Sequence, residues 1–87
     1  MKAIITVVGK DTIGIIAKIC VYLAENKVNV LDISQTIVDG YFNMMMVVDI
    51  SNAEFDKLAT GLKETGEGIG VIIRCQREDI FDKMHRI

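Results

Sequence analysis

The chain has 87 residues, of which 51% are apolar, and it carries a formal net charge of -2 with two cysteines. This length and composition predict one globular domain with an aliphatic core and exclude a disordered chain. Long basic runs and apolar stretches of membrane-spanning length are both missing, which argues against nucleic-acid and membrane partners. Because Cys20 and Cys75 lie far apart in apolar segments, we expect a reduced, cytoplasmic protein.

The first two elements are a strand and a helix joined by a short loop with glycine at both ends. Residues 2–8 are rich in β-branched side chains and predict a strand that is apolar on both faces. Asp11 or Thr12 is the expected N-cap of the helix, and the dipeptide Asn26-Lys27 is expected to end it. Apolar spacing of three and four predicts that the helix buries one face, made of Ile13, Ile16, Ala17, Cys20, Leu23 and Ala24.

A long hairpin is predicted next. Alternating residues over 29–39 indicate a second strand, Asp39-Gly40 provides the turn, and residues 41–50 return as a third strand. In the second strand we expect Leu31, Ile33 and Ile37 on one side. In the third strand the apolar side is formed by Phe42, Met44, Met46, Val48 and Ile50.

A second helix and a fourth strand complete the domain. Ser51 and Glu54 have capping-box spacing, and an apolar stripe follows at Phe55, Leu58, Ala59 and Leu62. Gly66 and Gly68 are expected to end the helix in a flexible turn through Gly70, and residues 69–77 form the last strand. The order predicts an α+β, ferredoxin-like βαββαβ fold, in which a four-stranded antiparallel sheet carries two helices on one face.

The domain is expected to span residues 1–77, and residues 78–87 form a short amphipathic tail. Its apolar side chains are Ile80, Phe81, Met84 and Ile87. A helix this short is marginal alone, so we expect it to pack on the domain or on a dimer partner. The sheet face opposite the helices is more apolar than a solvated face, and the tail, a second subunit or both should cover Ile4, Val8, Val30, Val38, Met45, Val47 and Ile72.

Several chemistries that this fold can carry are excluded by the residues of its loops and strands. The first loop has no Cys-x-x-Cys for a soft metal and no arginine for an acyl phosphate, and the first strand has no aromatic residue on which RNA bases would stack. His85 is the single histidine and has no evident nucleophile beside it. No catalytic residue, metal site or cofactor is therefore predicted.

The loop between the first strand and the first helix is the best candidate for a ligand site. Free backbone N–H groups and the positive end of a helix dipole meet there and favour a small anion. Residues 6–17 (TVVGKDTIGIIA), with residues 26–30 and 32–33, resemble the ACT domain, a small regulatory module that binds amino acids in metabolic enzymes. Over its whole length the chain is similar to free-standing small ACT proteins of the UPF0237 type, related to the glycine-cleavage repressor group.

The resemblance implies side-by-side homodimers with the ligand between the first loop of one subunit and the second strand of the other. The family usually has Asp-Arg-Pro-Gly in the loop; Asp11 and Gly14 match, and Thr12 and Ile13 replace the Arg and Pro. Backbone N–H groups near Gly14 would bind a carboxylate, while Asp11 and the Asn29 amide oxygen would accept an ammonium. The implied ligand-binding residues are Lys10, Asp11, Thr12, Ile13 and Gly14, with Asn29, Val30 and Leu31 of the partner subunit.

Structural roles for the same residues stay open. Asp11 or Thr12 caps a helix whether or not a ligand binds, Gly14 would permit close packing of helix on strand, and Asn29 would cap the loop before its strand. The leading hypothesis is a non-catalytic regulatory module that binds an amino acid or similar metabolite at a dimer interface. The alternative is a ligand-free adaptor that docks another regulatory protein or an enzyme through its apolar sheet face and tail.

Overall fold

The computed structural model describes residues 1–10 and 14–78. In chain order the elements are β1 (Lys2–Lys10), α1 (Ile15–Glu25), β2 (Asn29–Val38), β3 (Tyr41–Asp49), α2 (Phe55–Ile69) and β4 (Val71–Arg77). The strands form one four-stranded sheet in the order β2-β3-β1-β4, and all neighbouring strands are antiparallel. The predicted α+β, ferredoxin-like fold is confirmed. The predicted tail helix and His85 lie outside the described residues.

The core lies between the two helices and one side of the sheet, which we call the helix side. Alternate residues of β1 and β3 point to it, and the predicted apolar side of the third strand, from Phe42 to Ile50, is buried throughout. Each aliphatic side chain removed from water in this way contributes about 1.5–3 kcal/mol. The fully buried large side chains are Ile5, Val7, Ile19, Leu23, Met46, Val48, Leu58 and Leu62.

Helix α1 begins later than predicted and is rotated about its axis. Strand β1 continues through Gly9 to Lys10, and Gly14 is the N-cap with φ 87° and no side-chain capping bond, so the prediction of Asp11 or Thr12 as cap is wrong. The helix buries Ile15, Ile19 and Leu23, whereas Ala17 and Ala24 of the predicted face are exposed. Because small or apolar residues surround almost the whole helix, their spacing alone fits two rotations. The predicted end is confirmed, with Asn26 as C-cap.

Helix α2 differs from its prediction at both ends. Ser51 donates its hydroxyl to Asp49 Oδ1 (2.6 Å), and Glu54 is the N-cap without a side-chain bond, so there is no capping box. The helix continues through Gly66 and Gly68 and ends at Gly70 with φ 77°, so the predicted turn is wrong and β4 begins two residues later. Gly66 lies against β4: a Cβ there would be 2.7 Å from the carbonyl oxygen of Val71. This close packing outweighs the helix propensity of about 1 kcal/mol that a glycine sacrifices.

A β-bulge in β2 changes the side to which its first residues point. The register between β2 and β3 shifts between Val30 and Asp32, which leaves Leu31 as the extra residue. Val30 is therefore opposite Val48, on the helix side, and its predicted place on the other side is wrong. For the same reason Leu31 does not continue the phase of Ile33 and Ile37, which are opposite buried residues of β3.

The other side of the sheet, which we call the open side, carries no helix among the described residues. Its predicted apolar character is confirmed for four exposed residues, Val8, Val38, Met45 and Ile72. Between them lies a shallow depression of about 220 Å³ that also includes the side chains of Thr6, Ser34, Thr36 and Asn43. The two sides of one sheet are thus both apolar, and the two described helices cover one of them.

Candidate functional site

The end of β1 and the start of α1 form the first half of the predicted ligand site. Lys10 is the last residue of β1, opposite Tyr41 at the hairpin end of the sheet, and Gly14 stands directly before α1. Asp11, Thr12 and Ile13 lie outside the described residues. The predicted order of a strand, a short connection and a helix is thus observed, with β1 ending at Lys10 and α1 beginning at Ile15.

Gly14 is required for its backbone conformation. Its φ of 87° lies in the left-handed region, which costs a residue with a Cβ about 1–2 kcal/mol. A Cβ at this exposed position would have no heavy atom of a described residue within 4 Å. The suggestion that Gly14 permits close packing of helix on strand is therefore wrong. Among the described residues, none fills the space beside Gly14.

The N-terminus of α1 is suited to an anion. No side chain of a described residue caps it, and its first turn has no acidic residue. The first N–H groups of a helix have no partner inside the helix and lie at the positive end of its dipole. A carboxylate placed there would accept hydrogen bonds from these N–H groups, and the helix dipole would stabilise its negative charge.

Asn29, Val30 and Leu31 form the second half of the predicted site, and all three are exposed. Asn29 is opposite Asp49 at the first position of β2, and its side chain makes no hydrogen bond to another described residue. A capping role for Asn29 in the preceding loop is therefore unsupported, and its amide is accessible to solvent.

A single chain does not bring the two halves together. Lys10 and Val38 are both opposite Tyr41, at the hairpin end of the sheet, whereas Asn29 is opposite Asp49 at the other end, beside Lys2. The eight residue steps from Lys2 to Lys10 span about 27 Å at roughly 3.4 Å per residue. The halves therefore lie at opposite ends of the sheet.

Strand β2 is an edge strand whose residues are all exposed. Ile33 and Ile37 point to the helix side, yet 45% and 60% of their surfaces are exposed because neither helix covers β2. An exposed, apolar edge strand of ten residues offers a row of unpaired backbone N–H and C=O groups to another strand. Its apolar residues were recognised in the sequence, but its lack of cover was not.

A groove between the two helices was missed by the sequence analysis. It has a volume of about 370 Å³ and is lined by Ala17, Lys18, Val21, Tyr22, Glu25 and Thr65. Val21 is 57% exposed at its rim. The signal in the sequence is a second apolar stripe of the first helix, through Ala17 and Val21, of which the spacing argument places Ala17 in the core.

Burial changes the pKa of two side chains among the described residues. Burial raises the pKa of the Cys75 thiol to about 11, so it is protonated and weakly nucleophilic at neutral pH. Burial, and then Glu64, raises the pKa of Tyr22. In the part of the chain that the structure describes, no three His, Cys, Asp or Glu side chains are grouped to hold a metal ion. The described helices also include none with the length and apolar character needed to cross a membrane.

Comparison with known proteins identifies relatives over the whole chain. The model of the ACT domain family matches residues 2–76. A UPF0237 protein of Bifidobacterium longum is 66% identical over 99% of this chain and 98% of its own length. The solved structure of an ACT domain protein from Streptococcus pneumoniae superimposes with a TM-score of 0.84 at 44% identity, covering 94% of each chain. The ligand-free regulatory subunit of aspartate kinase from Thermus thermophilus gives a TM-score of 0.71 at 26% identity, covering 88% of this chain and 51% of that one.

Proposed function

The chain belongs to the ACT domain family, and from this premise we propose that it is a non-catalytic regulatory module that forms a homodimer and binds an amino acid or similar small metabolite between its subunits. One observation carries the proposal. The two halves of the predicted site lie at opposite ends of the sheet. Strand β2 forms one edge of that sheet, and all of its residues are exposed.

A twofold dimer through β2 would bring the halves together. If the β2 strands of two copies pair antiparallel, the start of one β2 lies beside the end of the other. Asn29 of the partner subunit then reaches the hairpin end of this chain, where Lys10 and Gly14 lie. The same pairing would use the free backbone groups of the edge and cover Ile33 and Ile37.

The chemistry of the two halves suits a zwitterion. The N–H groups at the start of α1 would bind the carboxylate of the ligand, since they lie at the positive end of the helix dipole. Asp11 and the amide oxygen of Asn29 of the partner subunit would accept the ammonium group. The first half supplies the helix N–H groups and Asp11, and Asn29 of the partner subunit adds a second acceptor for the ammonium group, so the complete site requires two subunits.

The comparisons support a regulatory role. The Thermus thermophilus relative is itself the regulatory subunit of aspartate kinase, and the fold it shares with this chain extends over 88% of the present sequence. Both Cys20 and Cys75 are free thiols, as expected in the reducing cytoplasm, where we place the protein.

Calorimetric titration with each of the amino acids in turn tests the proposal. We expect saturable binding of one of them, with one site per chain. Asn29→Ala and Gly14→Val should each abolish it, because each removes one half of the site. Asn52→Ala is the matched control, since Asn52 is an exposed asparagine in the turn before α2, and it should bind like the natural chain.

Mixed dimers make the test specific for a site between subunits. When Asn29→Ala and Gly14→Val chains are refolded together, dimers with one chain of each kind combine an intact Gly14 with an intact Asn29 at one of their two sites. Binding should return at one site per mixed dimer. If neither variant alters binding, or if the mixture stays inactive while both variants fold and dimerise, the site between subunits is wrong.

The open side supports a second candidate function, a ligand-free adaptor. Val8, Val38, Met45 and Ile72 expose an apolar surface that the dimer through β2 would leave uncovered. Analytical ultracentrifugation combined with the amino-acid titrations separates the two candidates. A chain that stays monomeric at high concentration and binds no amino acid would favour the adaptor.

A further inference from the structure

Ile4 is buried on the side of the sheet that carries no described helix. Along β1, Ala3, Ile5 and Val7 belong to the core beneath the helices, so the alternating residues Ile4 and Val8 point to the open side. Val8 is 45% exposed, as a residue on an uncovered face should be. Ile4 is only 7% exposed, although it does not belong to the core cluster.

The burial of Ile4 is part of a difference between two halves of the open side. Its cross-strand neighbours Val47 and Gln76 are half-buried, and these three residues define the closed half. In the open half, toward the hairpin, Met45 is 43% and Ile72 is 63% exposed. Among the described elements, both helices pack on the opposite side, so neither accounts for the closed half.

The chain leaves the sheet next to the closed half. The last residue of β4, Arg77, is opposite Ala3, and Gln76 is opposite Ile4 itself. Glu78 comes next, and residues 79–87 follow it. As a helix these nine residues would be about 13 Å long at roughly 1.5 Å per residue. The three spacings from β4 across to β2 amount to about 14 Å at roughly 4.8 Å each.

We propose that residues 79–87 fold back as an amphipathic helix over the closed half of their own sheet, with Ile80, Phe81, Met84 and Ile87 facing Ile4 and Val47. The tail matches the surface in place, length and apolar character. Docking within the same chain is favoured because the tail starts beside Ile4, so little chain entropy is lost on contact. The inference is independent of the amino-acid site, which uses the β2 edge and the β1–α1 loop. It also restricts any partner on this side to the open half.

A tryptophan at position 81 tests the docking, because the chain contains none. In the full-length Phe81→Trp variant we expect blue-shifted emission and acrylamide quenching several-fold weaker than that of free tryptophan. Adding Ile4→Ser should shift the emission to the red and restore the quenching. Val8→Ser in the same background is the matched control, since Val8 lies in the open half of the same strand and should leave the emission unchanged.

Refolding with excess natural chain distinguishes docking of the tail on its own sheet from docking on the sheet of a partner subunit. A Phe81→Trp, Ile4→Ser chain refolded with a tenfold excess of natural chain should keep its red-shifted emission, because its own Ile4 is missing. Recovery of the blue shift would show that the tail docks on a partner and would overturn docking within the chain. If Phe81→Trp alone emits like free tryptophan, or if Val8→Ser releases it and Ile4→Ser does not, the closed half is not covered by the tail. Because the first measurement leaves Ile4 intact, emission like that of free tryptophan would overturn the proposal even if Ile4→Ser fails to fold.

Discussion

Strands β3 and β2 are neighbours with similar alternation of apolar and polar residues, yet their environments differ completely. Alternate residues of β3 are buried, whereas no residue of β2 is. Met46 and Ile33 are directly opposite each other on the helix side; Met46 is fully buried and Ile33 is 45% exposed. Alternation therefore specifies a strand and its two sides, while burial depends on where the helices lie. What the helices leave uncovered is the surface available to a second chain.

The largest effect should come from truncating Met46, with truncation of Ile33 as the comparison. Met46→Ala should lower the free energy of unfolding by about 2–5 kcal/mol, because it leaves a cavity in the core. Ile33→Ala should cost less than about 1 kcal/mol in the free chain, since nearly half of its side chain is already exposed. Urea denaturation, at concentrations where ultracentrifugation shows a monomer, gives both values. Equal losses would contradict the comparison.

The contact of a covering helix with the sheet can be tested at two glycines of α2. Gly66→Ala should destabilise the protein by about 1–3 kcal/mol, because the new Cβ would lie 2.7 Å from the Val71 carbonyl oxygen. Gly68→Ala is the matched control in the same helix, where a Cβ meets no described residue within 4 Å. It should stabilise by up to about 1 kcal/mol through helix propensity. Thermal unfolding measures both, and the opposite order would exclude close packing of α2 on β4.

Cys75 reports on the cover over β4. Its thiol pKa is raised from 9.0 to about 11 by burial, so the thiolate that reacts with disulfide reagents is roughly 100-fold scarcer than in the unfolded chain near pH 8. A Cys20→Ala variant, in which Cys75 is the remaining thiol, should therefore be labelled about 100-fold more slowly when folded than in urea. Comparable rates would show that β4 is not shielded.

The same shift predicts a decline of stability at high pH. The folded-state pKa is above the unfolded value, so the stabilisation is complete below about pH 9 and is lost as the pH rises toward 11. The decline should be smaller in the Cys20→Ala, Cys75→Ala double variant than in Cys20→Ala alone. Urea denaturation across this pH range measures the difference.

The smallest effect is expected at Asp49, at the exposed end of β3. Hydrogen bonds from the hydroxyl and the backbone N–H of Ser51 lower its pKa, with the N-terminal ammonium 3.8 Å away as a further cause. Because the folded-state pKa is below the unfolded value, its contribution is present above about pH 3.8 and is lost as the pH falls below it. In Asp49→Asn, stability should fall slightly less steeply as the pH is lowered, as measured by acid unfolding followed by circular dichroism. An acid unfolding curve identical to that of the natural chain would show that these hydrogen bonds do not persist in solution.

The errors of the sequence analysis share a physical origin. The first helix has apolar or small residues on nearly every face, so its rotation was settled by packing of Ile15, Ile19 and Leu23 and not by spacing. Gly66 looked like a helix end because glycine is a poor helix former, but the sheet beneath α2 leaves no room for a Cβ. The bulge at Leu31 left no trace in the alternation. Each outcome depends on a neighbour distant in sequence.

The sequence alone determined the order of strands and helices, the fold class and the apolar side of β3, because these follow from local periodicity and turn residues. The residues of the candidate ligand site stay a prediction, made from a characteristic loop and a family resemblance. The tertiary structure decided which apolar surfaces are covered and where the halves of the site lie relative to one another. Lys10 and Asn29 lie at opposite ends of the sheet because β1 and β2 are each antiparallel to β3 and therefore run in the same direction. Strand direction and helix placement come from long-range pairing, which no local pattern encodes.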